Sequence, residues 1–217
     1  MIGSMPSDRA EPTAAHHIRR YHPDDRAALF DVCVRTGLEG GDARGVHPDD
    51  DLLPVIFLAP YLELEPGLAF VLDRGDGTAV GYLVGTADTP AFAARLRRDY
   101  LPGVAGRFPE PSGPPATPTE ELVTVLHTPE DLVRPELAGQ PAHLHIDILP
   151  GHQRGGHGRA LMTAYLAALA ERAVPGVHLT MPTANRPARV FYDRLGFHDL
   201  GIEHPSVTYL GRAVDGA

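Results

Sequence analysis

The residues able to do chemistry gather after position 142. Leu149-Pro150-Gly151-His152-Gln153-Arg154-Gly155-Gly156-His157-Gly158-Arg159 joins a strand pattern to a helix pattern carrying Leu161, Ala164, Tyr165, Ala168 and Leu169 on one side. A helix start leaves backbone N–H groups without partners, and glycines at 155, 156 and 158 let an anion approach them with no Cβ in the way. Such a loop suits a phosphate. One exposed charge–dipole contact contributes only about 0.3–1 kcal/mol, so useful affinity needs several N–H groups acting together. Charge placement agrees: residues 151–194 hold six arginines (154, 159, 172, 186, 189, 194) against Glu171 and Asp193, in a chain of net charge −9.

A second constellation precedes the loop. In His143-Leu144-His145-Ile146-Asp147-Ile148, strand alternation puts His143, His145 and Asp147 on one face and the apolar residues on the other. Three titratable side chains in one strip suit a base or a proton path, and equally suit polar groups bonded within the sheet. A metal is not expected: the histidine that usually continues an H-x-H-x-D cluster is replaced by Ile148, and no cysteine ligand is at hand. A third segment, Asn185 to Phe197, is helical in period. Ala188, Phe191 and Leu195 fall on a core face, while Asn185, Arg189 and Tyr192 fall on an adjacent one that can reach a ligand. Asn185, the sole asparagine of the chain, also suits the helix N-cap, and Tyr192 also suits a packing phenol.

The elements that must position these groups can be read coarsely. A strand at Ile18–Tyr21 leads through Pro23-Asp24-Asp25 into a helix to about Gly37, whose stripe Leu29, Val32, Cys33 makes Cys33 a core residue. Residues 68–72 and 79–85 are strand candidates on either side of Asp73-Arg74-Gly75-Asp76-Gly77, which is dense in residues that permit positive φ, and together they predict a β-hairpin. Residues 87–141 then interrupt the sheet with a helix from Pro90 to about Gly106, a proline-rich tract and a second helix from Thr119 to His127. A 55-residue excursion of this kind is a lid, a binding element or a passive insertion. Beyond it the order is strand (143–149), glycine loop, helix (156–173), strand (177–181), helix (186–195) and final strands near Phe197 and 206–210, an α/β alternation.

Gln153-x-x-Gly156-x-Gly158 does not fit the dinucleotide fingerprint. It resembles the (Q/R)-x-x-G-x-(G/A) pyrophosphate loop of the GCN5-related N-acetyltransferase (GNAT) family. Asn185-Arg186-Pro187-Ala188-Arg189-Val190-Phe191-Tyr192-Asp193-Arg194-Leu195-Gly196-Phe197 resembles that family's N-x-x-A-x-x-F-Y-x-x-x-G-F segment. The resemblance spans about Ile18 to Arg212. More narrowly, Ala59-Pro60-Tyr61-Leu62, Gly81 through Thr89, and Tyr100-Leu101-Pro102 are similar to the acetyltransferase-like C-terminal domain of O-GlcNAc hydrolase and its free-standing bacterial relatives. That hydrolase-linked domain is regarded as a pseudo-acetyltransferase with a degraded glycine loop, whereas this chain keeps the loop.

The resemblance implies an α/β (α+β) GNAT fold. Its mixed central sheet has about seven strands, a splay between strands 4 and 5, helices on both faces and a helical insertion. It also implies acetyl-CoA as the cofactor, with backbone groups near Ile148 and Leu149 pairing with pantetheine. Gln153, Arg154, Gly155, Gly156, His157, Gly158 and Arg159 would hold the pyrophosphate, with Asn185 and Arg189 contacting ligand from the following helix. Tyr192 would stand near the sulfur as general acid, since a thiol of pKa about 8.5 leaves poorly unless protonated. For the base, Asp147 ranks first by its closeness to the thioester site and His145 second. The activity implied is direct transfer of acetyl to an amine, of a small molecule or a protein, in a ternary complex. The competing reading is a catalytically silent acyl-CoA-binding module serving as sensor or partner domain.

Composition narrows the rest. The chain has 217 residues and no lysine, which excludes phosphate-loop kinases and Schiff-base enzymes. Its four serines (4, 7, 112, 206) lie in no nucleophile-elbow context. One cysteine allows no intrachain disulfide and fits a reducing compartment. Net negative charge argues against nucleic acid, and no apolar run reaches the roughly 18 residues of a membrane span. With no signal-peptide pattern in the first fifteen residues, the expectation is a cytoplasmic protein: a disordered leader over 1–15, then a single domain over 16–214.

Overall fold

The structure, a computed structural model, describes residues 15–214. All but Ala15 of the expected leader lies outside them. Seven strands form one sheet: β1 (His17–Arg20), β2 (Phe70–Asp73), β3 (Ala79–Thr86), β4 (Ala142–Ile148), β5 (Gly176–Pro182), β6 (His198–Asp199) and β7 (Val207–Ala213), in the order β1-β2-β3-β4-β5-β7-β6. The hairpin β2–β3 closes where Asp73 accepts the N–H groups of Gly75 and Gly77, at 2.7 and 3.0 Å. β2 starts later than its apolar pattern, because Pro66–Leu68 forms a 3-10 turn first. The last strands likewise begin at His198 and Val207.

Every neighbouring pair is antiparallel except β4–β5, which is parallel. That parallel pair is short. Only Ala142↔Val177 and His143↔His178 are in register, although β4 continues to Ile148 and β5 to Pro182. Beyond His143 the two strands diverge, which opens the splay. β4 remains paired along its other edge, from Gly81↔Ile148 to Thr86↔His143.

Helices cover both faces. α1 (Arg26–Thr36) buries Leu29, Val32 and Cys33 on the face that carries Asp147, since the Cys33 thiol meets the Tyr82 hydroxyl and that hydroxyl bonds Asp147. α7 (His157–Ala170) packs on the opposite face, where Gly158 approaches Ile148. It buries Leu161, Met162, Tyr165, Ala168 and Leu169. Burying each large apolar side chain there contributes about 1.5–3 kcal/mol. The apolar stretch after residue 51 folds as α2 (Leu52–Phe57) and α3 (Ala59–Leu64).

Residues 87–141 contain α4 (Thr89–Arg95), α5 (Leu101–Val104) and α6 (Pro118–His127). The single helix expected from Pro90 to Gly106 is broken by a π-helical turn at Leu96–Tyr100. Pro102, which has no N–H and crowds the preceding turn, stands just after the break. α4 is capped by Asp88, which accepts the Ala91 N–H at 2.9 Å, and it sets Thr89 and Phe92 against His143. α8 (Arg186–Asp193) completes the helices. No helix among the described residues is long and apolar enough to cross a membrane.

Candidate active site

β4 determines what faces the splay. The Leu149 N–H donates to Val80 O at 3.0 Å, which sets the phase of the antiparallel ladder. Residues 143, 145, 147 and 149 therefore turn their main-chain groups toward β3, and 144, 146 and 148 turn theirs toward β5. Past His143 no β5 residue is in register to meet them. Ile146 thus presents its main-chain N–H and C=O to the wedge, and Ile148 its N–H, the Ile148 carbonyl already accepting from Gln153. Leu149 does not: its N–H is held by Val80 and its carbonyl accepts from His152 at 2.8 Å. Gln153 is also engaged, its side-chain amide donating to Ile148 O at 2.8 Å. It acts on the strand end.

The glycine loop follows directly. Arg154 and Gly156 take left-handed conformations (φ 65° and 81°), which turn the chain sharply into α7. Gly156 occupies the N-cap position, where no side chain caps the helix. The first intrahelical donor is Ala160, bonded to Gly156 O at 3.1 Å. The N–H groups of Gly155, Gly156, His157, Gly158 and Arg159 have no acceptor among the described residues. The Arg154 and Arg159 side chains are exposed and carry no ion pair among the described residues. His16 and His152 flank the loop, joined Nε2 to Nδ1 at 2.8 Å, and His16 stacks on His157 at 4.7 Å between ring centroids. The residues fit a diphosphate: donors with no acceptor among the described residues, beside local cations.

α8 closes the far side of the wedge. Asn185 caps it, its Oδ1 accepting the Ala188 N–H at 3.1 Å, so the N-cap role is the one seen. Ala188, Phe191 and Leu195 pack against the core as expected, and Tyr192, from the adjacent face, is buried as well. Tyr192 is the buried residue of α8, while Phe191 is half-buried and lies against α7, within 3.0 Å of where a Gly158 Cβ would stand. A Cβ at 158 would press on the tip of the Phe191 ring. Arg189, expected to contact ligand, is paired with Asp193 at 2.7 Å and Asp199 at 3.6 Å. Burial, and after it the nearby charge of Asp147, pushes the Tyr192 phenol above its ordinary pKa, so it keeps its proton. Its hydroxyl makes no hydrogen bond among the described residues.

The strip His143, His145, Asp147 is assembled on one face, with unequal environments. Asp147 accepts from the Tyr82 hydroxyl at 2.7 Å. It lies deep among protein atoms yet keeps part of its surface open to solvent, and burial raises its pKa to about 6 against the pull of the Tyr82 hydrogen bond. Burial also lowers His145 to about 4 and His143 well below the ordinary imidazole value. Both rings are therefore neutral near pH 7. Of the three, Asp147 alone titrates close to neutrality, as a general base requires. Among the described residues, no three His, Cys, Asp or Glu side chains are grouped to hold a metal.

Sequence reasoning missed Tyr82, Tyr61 and Thr89, the groups that hold the strip. Tyr61 bonds both histidines and Thr89 bonds His143. A phenol in an apolar run needs a polar partner, which was the available signal. The identity of the partner depends on the β3–β4 register and on α3 and α4, which no local pattern shows.

The family profile described as "Acetyltransferase (GNAT) domain" matches residues 127–199, the stretch from the end of α6 to β6. Over nearly its whole length the chain is similar to a solved protein described as SsHAT: 56% identity, 93% of this chain and 99% of that one covered, TM-score 0.90. The chain belongs to the GNAT acetyltransferase family. The GNAT fold recurs in yncA of Salmonella typhimurium, a putative acetyltransferase solved with its cofactor acetyl-CoA, at 14% identity and TM-score 0.53, covering 93% of this chain and 95% of that one. Protein O-GlcNAcase of Rattus norvegicus is 24% identical over 209 residues; 94% of this GNAT chain is aligned, and it spans 23% of that relative.

Proposed function

We propose that this protein is an acetyl-CoA-dependent N-acetyltransferase that moves acetyl directly to an amine in a ternary complex. One observation carries the reading: five consecutive main-chain N–H groups, Gly155 to Arg159, point from an uncapped helix start at the mouth of a splayed sheet with no protein acceptor among the described residues. Unpaired backbone donors are rare unless solvent or a ligand takes them, and a run of them beside two arginines with no ion pair among the described residues suits a diphosphate.

Bound there, acetyl-CoA supplies an acetyl thioester. The amides of 155–159, with Arg154 and Arg159, hold its diphosphate, and the main-chain groups of Ile146 and Ile148 pair with the pantetheine arm. The acceptor nitrogen bonds the acetyl carbon while the carbon–sulfur bond breaks. Asp147 takes the proton the amine loses, and Tyr192 gives one to the departing sulfur. The two groups suit these opposite roles: burial leaves the carboxyl ionised above about pH 6 and the phenol protonated throughout the neutral range. No side chain is acylated.

The test is calorimetry with acetyl-CoA on the parent and on Gly156→Glu, which sets a carboxylate among the loop amides. Binding is expected in the parent and not in the variant; unchanged affinity refutes the loop assignment. An amine panel read by free-thiol release then separates an enzyme, which finds an acceptor, from a module that binds without turnover.

A further inference from the structure

The polar groups behind His145 are connected in a way that the transfer chemistry does not require. Thr89 Oγ1 lies 2.7 Å from Pro141 O and 2.7 Å from His143 Nδ1. The opposite edge of His143 places Nε2 2.7 Å from the Tyr61 hydroxyl, and that hydroxyl lies 3.2 Å from His145 Nε2. Each link holds one proton, so the direction of the first fixes all the others.

The first direction is decided at Thr89. A carbonyl oxygen only accepts, and two oxygens 2.7 Å apart need a proton between them, so the threonine hydroxyl donates to Pro141. Thr89 must then accept from His143, which carries its hydrogen on Nδ1. His143 is neutral, because burial disfavours its cation, and its Nε2 is therefore a bare lone pair. Tyr61 donates to that lone pair. Burial keeps the phenol protonated, but its single hydrogen is already committed, so His145 must bring its own on Nε2. His145 is neutral as well, which leaves its Nδ1 bare. That nitrogen has no partner among the described residues. No unpartnered side-chain nitrogen or oxygen among them is buried, so Nδ1 keeps some surface accessible to solvent.

We infer that Thr89, His143 and Tyr61 form a one-directional hydrogen-bond relay that fixes His145 with its Nδ1 lone pair bare and accessible, where it receives an N–H of the acceptor amine. The last clause rests on the acetyltransferase reading; the relay does not. His145 and Asp147 lie two residues apart on the same strand face, and each presents an acceptor. A primary amine, with more than one N–H, satisfies both; an alcohol of the same shape has one hydrogen to offer. Thr89, His143 and Tyr61 are positioning residues, since each acts on the substrate only through His145.

Long-range proton–nitrogen correlation spectra of the ligand-free protein at neutral pH test the relay. The expected result is opposite tautomers, hydrogen on Nδ1 of His143 and on Nε2 of His145. Hydrogen on Nε2 of His143 with Nδ1 of His145 protonated is the reverse wiring and overturns the proposal. Thr89→Val removes the first acceptor while keeping the side-chain shape, and both rings are expected to lose their fixed assignment together. A change at His143 with His145 unmoved breaks the relay at Tyr61 and refutes it. In kinetics, the same variant is expected to raise KM for the amine about tenfold, the loss of roughly one hydrogen bond, with acetyl-CoA affinity unchanged. An unchanged KM overturns the amine contact. The spectra need neither acetyl-CoA nor turnover, so a chain that acetylates no amine removes only the amine clause and leaves the relay to be judged by its tautomers.

Discussion

Replacing Asp147 by asparagine sets stability against activity at one carboxyl. Burial raises this carboxyl from 3.8 to about 6, and a tenfold change in proton affinity is worth about 1.4 kcal/mol, so keeping it ionised costs the fold about 3 kcal/mol. The sign follows from proton binding. Between pH 3.8 and about 6 the folded state binds the proton more tightly than the unfolded chain does, so the cost is absent below the window and complete above it. Asparagine keeps an oxygen to accept from the Tyr82 hydroxyl, now at 2.7 Å from the carboxylate, and carries no charge. Urea unfolding of both proteins from about pH 4 to pH 8 should show the variant gaining about 3 kcal/mol on the parent as pH rises. His143 and His145, lowered by burial, make both proteins less stable as pH falls through the same range, and that loss cancels in the difference. Amine acetylation should meanwhile fall about 10²–10⁴-fold, and the rise of rate with pH near 6 should disappear. A stability difference that stays flat with pH would show that Asp147 carries no burial cost. A variant as fast as the parent would show that it is not the base.

Tyr192→Phe should lower kcat about 10–100-fold while leaving acetyl-CoA affinity and stability nearly unchanged, because the hydroxyl bonds nothing among the described residues; equal losses of kcat and affinity would make it a binding group. Cys33, buried and with its thiol pushed up to about 12 by that burial, should resist thiol reagents at about pH 8 in native buffer and react at the rate of unfolding in urea. Fast labelling of the native protein would contradict its packing against Tyr82.

Much of this was legible because the signals are local. The glycine loop, the helix after it and the alternation on β4 each lie within about a dozen consecutive residues, and period alone assigns their faces. The errors arise where distant elements decide. Leu149 looked as available as Ile148 until the β3 register showed that Val80 holds its N–H. Arg189 looked free for an anion until the turn after α8 brought Asp199 beside it, although Asp193, four residues on, was a visible partner. On α8 the helical period grouped Ala188, Phe191 and Leu195 on a face that does pack against the core, but the burial of Tyr192 beside it depends on neighbouring elements that the period does not show.

β4 brings the groups of the site together because it uses each of its surfaces differently. One edge is fully paired with β3, which makes the strand rigid and sets the phase of its main-chain groups. The other edge loses β5 after His143, so the main-chain groups of Ile146 and the Ile148 N–H open into the wedge only where the strand leads into the glycine loop. Its polar face holds Asp147 against Tyr82 and the histidines against Tyr61, and its apolar face packs Ile148 under α7. A longer β4–β5 pairing would close the wedge, and a one-residue slip against β3 would exchange both the side-chain faces and the main-chain edges. The position of Asp147 relative to the loop amides is therefore set by the β3–β4 register. A mutation in β3 that shifts this register should abolish acetyl-CoA binding and proton removal together, whereas mutations in the loop or at Asp147 separate them.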